Sequence, residues 1–376
     1  MTRGNRALVP AQEHRCRPRL LGYHELGTLD VGPKSMPTFT AGAFGADFDQ
    51  IDVGVLNSGT ASGQTATTFS ISVGAEVDQF TGTGFAFGAN GFPTAGTITD
   101  IHESFSGIGV FDITGASLPV AQFINFVATG ANTAAKLAIF SGADLINGSD
   151  TIDRLRGYGG DDTINGGGGN DFIDGGDGNN IIRGGTGDDV ITVSSGTNYL
   201  RGDDGDDVIL GGTGFDDING NKGNDTIDGG PSGGDWLVGG QGNDLITAEA
   251  GDGLLYGNLG NDTLIGSPGA DIVRGGQGDD SLQGGAGNDF ISGDRGNDTE
   301  SGGPGADIFH TSQDAGIDKV LDFHLTEGDR VQLDPGTTYT VSQVGADTVI
   351  DMGAGNQMIL VGVQMTTLTP GWIFGF

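Results

Sequence analysis

From residue 157 to residue 310 the chain sets a lone apolar residue at every ninth position: Ile164, Ile173, Ile182, Ile191, Leu200, Ile209, Ile218, Ile227 and, after one inserted residue, Leu237. Its neighbours are free to be polar, as Thr163 and Asn165 are. Successive side chains of a strand point to opposite faces, so each polar-apolar-polar triplet predicts a short strand with one inward side chain. Six glycine-rich residues separate the triplets, and glycine supplies the positive-φ backbone of a tight reversal. The phrase is Gly-Gly-x-Gly-x-Asp-x-apolar-x, as in GGGGNDFID (166–174) and GGTGDDVIT (184–192). Its phase extends back through Asp144 and Asp153, giving nineteen units over 139–310 with one slip, the residue inserted in GGPSGGDWLV (229–238).

The flanks carry other patterns. In 36–138 the runs TTFSISV (67–73), QFTGTGFAF (79–87) and GIGVFDI (107–113) alternate apolar and polar positions, which predicts half-buried strands of a small β-sandwich-like module. Leu118, Ala121, Phe123 and Val127 stand loosely at helical spacing, so 118–128 is a candidate helix. After the repeats, 317–323, 330–333, 339–344, 348–352 and 357–363 read as short strands. Residues 1–35 hold six of the sixteen basic residues, with no apolar signal core after Arg19. They read as a wrongly assigned start, with Met36 the true one, or as a disordered arm.

Composition narrows the partners. Glycine is 75 of 376 residues, and 50 acidic against 16 basic residues give a net charge of −34. Such a polyanion is unsuited to nucleic acid or an anionic membrane. It suits a hard cation, which takes oxygen ligands. The aspartates keep a fixed phase with glycine, which a merely soluble surface does not require. Cys16 is the only cysteine, so neither an intramolecular disulfide nor a cysteine-based zinc site can form. No apolar run reaches the roughly 18 residues of a membrane span.

In 36–138 the familiar catalytic motifs are broken or missing. His102-Glu103 is followed by Ser-Phe-Ser, which breaks the zinc-protease pattern, and neither a Gly-x-Ser-x-Gly elbow nor a phosphate loop occurs. Asp47, Asp49 and Asp52 read as loop carboxylates. The expectation is a protein without catalytic residues of its own.

The nine-residue phrase resembles the repeat of RTX, or hemolysin-type, calcium-binding proteins. The segment GIDKVLDFHLTEGDRVQLDPG (316–336) is similar to the one that follows the repeats in serralysin-type RTX proteins. There it caps the roll and carries an uncleaved signal for type I secretion. The serralysin protease domain has no counterpart here. The resemblance implies an all-β chain: a parallel β-helix, or β-roll, of nonapeptide repeats over 139–310, preceded by the 36–138 module and followed by a short-strand C-terminal cap over 311–376. Two phrases make one coil, and calcium lies between stacked loops on aspartate oxygens and glycine carbonyls. Without the ion, stacked carboxylates about 5 Å apart repel one another, and the glycine-rich chain stays unfolded.

Sorting the units by eighteen residues gives two columns. The first holds Asp153, Asp171, Asp189, Asp207, Asp225, Asp244, Asp262, Asp280 and Asp298 without a break, with Gly169, Gly187, Gly205, Gly223, Gly242, Gly260, Gly278 and Gly296 beside them as carbonyl donors. The second holds Asp144, Asp162, Asn180, Asn198, Asp216, Asp235, Gly253, Asp271, Asp289 and Asp307, so every departure from aspartate falls on this side. Val193-Ser194 and Ala248-Glu249 replace Gly-Gly in two of the defective units. A nearly continuous calcium file on the first side and an interrupted one on the second are expected. At one ion per stacked pair of loops, about a dozen ions bind at saturation. Glu300 takes an apolar position, and the end of regular stacking is expected there.

The leading expectation is a secreted, extracellular calcium-binding protein that folds on calcium after type I export. Two alternatives place the activity in 36–138: an adhesin or surface-layer module that binds glycan or its own kind, or a hydrolase with an unrecognised site.

Overall fold

The computed structural model describes residues 38–41, 60–62, 64–65, 68–73, 76–87, 93–105, 108–114, 116, 118–122 and 139–375. The 1–35 arm, Asp47, Asp49, Asp52 and residues 123–128 of the candidate helix lie outside them. Of that candidate, Leu118–Pro119 is a strand and 120–122 is helical.

The repeat region is a parallel β-solenoid of about ten turns, each coil taking two phrases. One sheet stacks Leu145–Asn147, Thr163–Gly168, Ile181–Thr186, Asn198–Asp204 and their successors in parallel register, Ile164 facing Ile182 and Ile182 facing Leu200. The other stacks three-residue strands, Arg154–Arg156, Phe172–Asp174, Val190–Thr192 and onward, with Ile173 facing Ile191. The apolar letter of each phrase forms the core: Ile164, Ile182, Ile209, Ile227 and Leu255 are at most 1% exposed. One aliphatic side chain per nine residues is a thin core for so much ordered glycine. The turns must contribute to holding the coil.

The two turns of a coil differ. Strands of the first sheet run on into the turn of the first column, where Gly167 pairs with Gly185 and Gly168 with Thr186. The turn of the second column has only isolated bridges, such as Asp177 to Ser195 and Thr213 to Ser232. The inserted residue of 229–238 falls in that looser turn.

The N-terminal part forms an antiparallel sheet in the order Thr60–Ser62, Thr68–Val73, Glu76–Phe87, Pro93–Phe105, Ile108–Thr114 and Thr38–Ala41. Among the described residues it is one sheet, and it joins the roll directly. Thr38–Ala41 pairs antiparallel with Ile108–Thr114 on one side and parallel with Leu145–Asn147 on the other. It covers the first edge of the roll, which would otherwise be an open template for another strand. Phe80, Ile98, Ile113 and Leu118 belong to the same buried cluster as Phe140 and Ile146.

The regular eighteen-residue step gives way after Glu300, as expected, but the sheets themselves continue beyond it. Glu300 faces Leu282 in one coil and Val320 in the next, so the sheet continues through Ile317–Val320 to Asn356–Leu360. The other sheet continues through Ile308–Thr311, Arg330–Leu333 and Ile373–Gly375. An antiparallel meander of Thr340–Val344, Asp347–Gly353 and Asn356–Leu360 closes one edge. Phe323 packs on Phe309 and on Trp372, with ring centroids 6.2 Å apart in both pairs. Among the described residues no helix is long and apolar enough to cross a membrane.

Candidate metal columns

Each repeat aspartate closes a glycine turn and points inward, and Asp171, Asp189, Asp207 and Asp225 are all 1% exposed. Its Oδ1 accepts the backbone N–H of the aspartate one coil earlier. In the first column the bonds run Asp153 to Asp171, Asp171 to Asp189 and Asp189 to Asp207 at 2.8 Å, then Asp207 to Asp225 and Asp225 to Asp244 at 2.9 Å. They continue from Asp244 to Asp262, Asp262 to Asp280 and Asp280 to Asp298 at 2.8 Å. The inserted residue leaves this ladder whole, since the step from Asp225 to Asp244 spans 19 residues with the same geometry.

The second oxygen separates the columns. In Asp171, Asp189, Asp207, Asp225, Asp244, Asp262, Asp280 and Asp298, Oδ2 is buried without a hydrogen-bond partner. In the second column this holds for Asp162, Asp235, Asp289 and Asp307. In two others the atom is capped: Asp216 Oδ2 accepts from Gly212 N–H at 3.0 Å, and Asp271 Oδ2 from Ser267 N–H at 2.7 Å. The first-column Asp153 is capped likewise, by Ser149 N–H at 2.6 Å and by the Ser149 hydroxyl at 2.9 Å. Asp144, at the first edge, donates its N–H to Asp162 Oδ1 at 2.9 Å.

The asparagines keep the ladder but remove the charge. Asn180 Oδ1 accepts from Asp162 N–H at 3.0 Å, and Asn198 Oδ1 from Asn180 N–H at 2.9 Å. Their amide groups find acceptors, Asn180 Nδ2 in the Gly178 carbonyl and Asn198 Nδ2 in Asp216 Oδ1. Gly253 has no side chain to offer, and its N–H donates to Asp271 Oδ1 at 2.6 Å.

The space that holds Oδ2 lies against the first glycine of the phrase. A Cβ on Gly184 would overlap Asp189 Oδ2 and crowd the Gly202 carbonyl; one on Gly166 would do the same with Asp171 Oδ2 and the Gly184 carbonyl. A carboxylate oxygen and a carbonyl of the next coil thus converge on one small cradle. In two phrases within the roll a side chain in this first position goes with a missing carboxylate. Val193 and Ala248 are buried in their turns, and their phrases carry Asn198 and Gly253 in place of aspartate.

The fourth glycine is required for another reason. Gly187 has φ +116°, and a Cβ there would overlap the Gly169 carbonyl of the coil before. The predicted carbonyl donors from Gly169 to Gly296 form such a stack, each under the next.

Burial is the main cause that raises the carboxyl pKa values, opposed by the ladder hydrogen bond and reinforced by neighbouring carboxylates. Asp171 and Asp244 are pushed up to about 7, Asp189 and Asp225 to about 6, and Asp207 and Asp280 to about 8. Buried oxygens that lack a partner, in a file of carboxylates with backbone carbonyls at hand, are a donor set for a hard cation. Among the described residues no three acidic or histidine side chains gather at one point. Any ion here therefore draws on the backbone as well as on the aspartates.

Two ligand-column members escaped the sequence pattern. Asp298 N–H donates to Asp318 Oδ1 at 3.3 Å, and Asp307 N–H to Asp329 Oδ1 at 3.1 Å, which extends both columns into the cap. Their spacings of 20 and 22 residues broke the period. The signal was the triplet Asp-x-apolar, with Val320 and Val331 both fully buried. A second ladder was also missed. On the exposed rim of the first-column turn, Asp188 N–H donates to Asn170 Oδ1 at 3.1 Å, Asp206 N–H to Asp188 Oδ1 at 3.1 Å and Asn224 N–H to Asp206 Oδ1 at 2.7 Å. It continues through Asn243, Asn261, Asp279 and Asn297, with donor and acceptor reversed relative to the inner ladder.

His102 lies on Pro93–Phe105, opposite Gln79 and Asp112 in the neighbouring strands.

The model of the RTX calcium-binding nonapeptide repeat matches residues 140–173, 174–209, 201–231, 232–264 and 265–300. No curated protein matches the chain. Among solved structures it is similar to the extracellular lipase LipA from Serratia marcescens, at 23% identity and a TM-score of 0.27. That match covers 54% of this chain and 39% of the lipase. Residues 140–300 are therefore RTX calcium-binding nonapeptide repeats.

Proposed function

We propose that the protein is a secreted calcium-binding protein whose roll folds when the chain meets extracellular calcium after type I export, and that it has no catalytic chemistry of its own. The observation that carries the reading is the file from Asp171 to Asp298, where every second carboxylate oxygen is buried without a partner. Those aspartates, the scattered Asp162, Asp235, Asp289 and Asp307, and glycine carbonyls of the same turns would hold the ions. Bound calcium would neutralise the stacked carboxylates and link neighbouring coils, which makes metal binding part of folding. A chain that stays unfolded where calcium is scarce can be threaded through a narrow channel and then fold outside.

Circular dichroism of the purified full-length chain, with and without millimolar calcium, tests this reading. A gain of β signal on adding calcium, reversed by chelation, is the expected result. An unchanged spectrum would refute it.

A further inference from the structure

The inward position that elsewhere holds Ile, Leu, Val or Phe is occupied in one coil by Glu300, between Leu282 and Val320. Its side chain is 0% exposed. It turns back toward its own turn, where Oε1 accepts the N–H of Gly293 at 2.8 Å. The same Gly293 backs the cradle that holds Asp298 Oδ2, since a Cβ on it would overlap that atom. Glu300 Oε2 and Asp298 Oδ2 are both buried without a partner. Two orphaned carboxylate oxygens of one phrase thus lie around one glycine.

Asp318 follows Asp298 in the first column, its Oδ1 accepting from Asp298 N–H at 3.3 Å and its Oδ2 from the Thr311 hydroxyl at 3.1 Å. A cation satisfies both orphaned oxygens at once, and the burial that penalises an isolated carboxylate strengthens its attraction for that cation.

We propose that Glu300 is a metal ligand, which with Asp298 and backbone oxygens forms a two-carboxylate site for a hard divalent cation at the C-terminal end of the first column. This rests on the calcium reading of the roll but departs from the repeat pattern, in which the inward position is apolar. The site lies where the regular coils give way to the cap, between the Asp280–Asp298 step and Asp318.

The test counts ions by native mass spectrometry on the full-length chain, with calcium as the only added metal, for the wild type, Glu300→Gln and Glu300→Leu. Leucine restores the apolar letter, so that variant folds even if the glutamine variant does not. Both variants are expected to carry one ion fewer than the wild type at the same free calcium, with unchanged circular dichroism. Equal ion counts in wild type and Glu300→Leu would overturn the inference and leave the calcium reading standing. A wild type that binds no calcium would overturn both.

Discussion

The backbone N–H of Asp189 donates to Oδ1 of Asp207, one coil further on, at 2.8 Å, while Asp207 Oδ2 is buried with no partner. One side chain thus does two separable things: one oxygen joins coils, the other is left for an ion. Asp207→Asn keeps the first and removes the second, as Asn180 and Asn198 already do in the second column. The variant is expected to be no less stable than wild type in chelator, and to gain less from calcium. With free calcium about a hundred times the dissociation constant, losing one site forfeits roughly 2–3 kcal/mol of stabilisation. Circular dichroism across a calcium titration measures the difference, and identical midpoints for both proteins would refute the assignment.

The interruption at Asn198 should be repairable, but only by two changes. Asn198→Asp alone restores a carboxylate beside Val193, whose buried side chain stands at the position where other phrases have the cradle glycine. Val193→Gly together with Asn198→Asp restores both. The double variant is expected to bind at least one more calcium ion than wild type by isothermal titration calorimetry, and Asn198→Asp alone no more. A gain from the single change would show that the cradle does not matter.

Gly187 and Thr186 are neighbours with opposite tolerance. Gly187 has φ +116°, and a Cβ on it would overlap the Gly169 carbonyl, whereas Thr186 is exposed. Gly187→Ala is expected to cost on the order of 1–3 kcal/mol from overpacking, with backbone strain added to it. Thr186→Ala should be close to neutral. Urea unfolding at saturating calcium compares them, and equal midpoints would be inconsistent with the packing described.

Much of this was legible because each coil takes two nine-residue phrases, so that eighteen-residue columns are stacks in space. Sorting by that period predicted the unbroken first column and the gaps at Asn180, Asn198 and Gly253. What the period could not show is which carboxylates are capped: Asp216 and Asp271 match the motif, yet their Oδ2 atoms accept N–H bonds from Gly212 and Ser267. The cap comes from the N–H four residues before the aspartate, and Ser149 caps Asp153 of the first column in the same way. Asp318 and Asp329 were hidden by longer connections that leave their bonding intact. The parallel pairing of Thr38 with Leu145 joins segments more than a hundred residues apart, and alternation along either strand carries no trace of it.

The carboxylates also fix the response to pH, with opposite signs in the two metal states. In the calcium-free fold Asp207 and Asp280 are raised to about 8, Asp171 to about 7 and Asp189 to about 6, mainly by burial. The ordinary value is 3.8. A group raised on folding stabilises the fold while it is protonated in both states, below its unfolded pKa. That contribution is lost as pH rises through the folded pKa. In chelator the chain is therefore expected to be most folded near pH 4, and to lose stability progressively as pH rises from about 4 to 8. Calcium reverses the trend, because it binds the ionised carboxylates and must displace their protons. Its affinity should rise with pH across the same window, and calorimetry in buffers of different ionisation enthalpy should detect proton release on binding. A calcium-free chain that gains β structure as pH rises from 4 to 8 would contradict the burial of these aspartates.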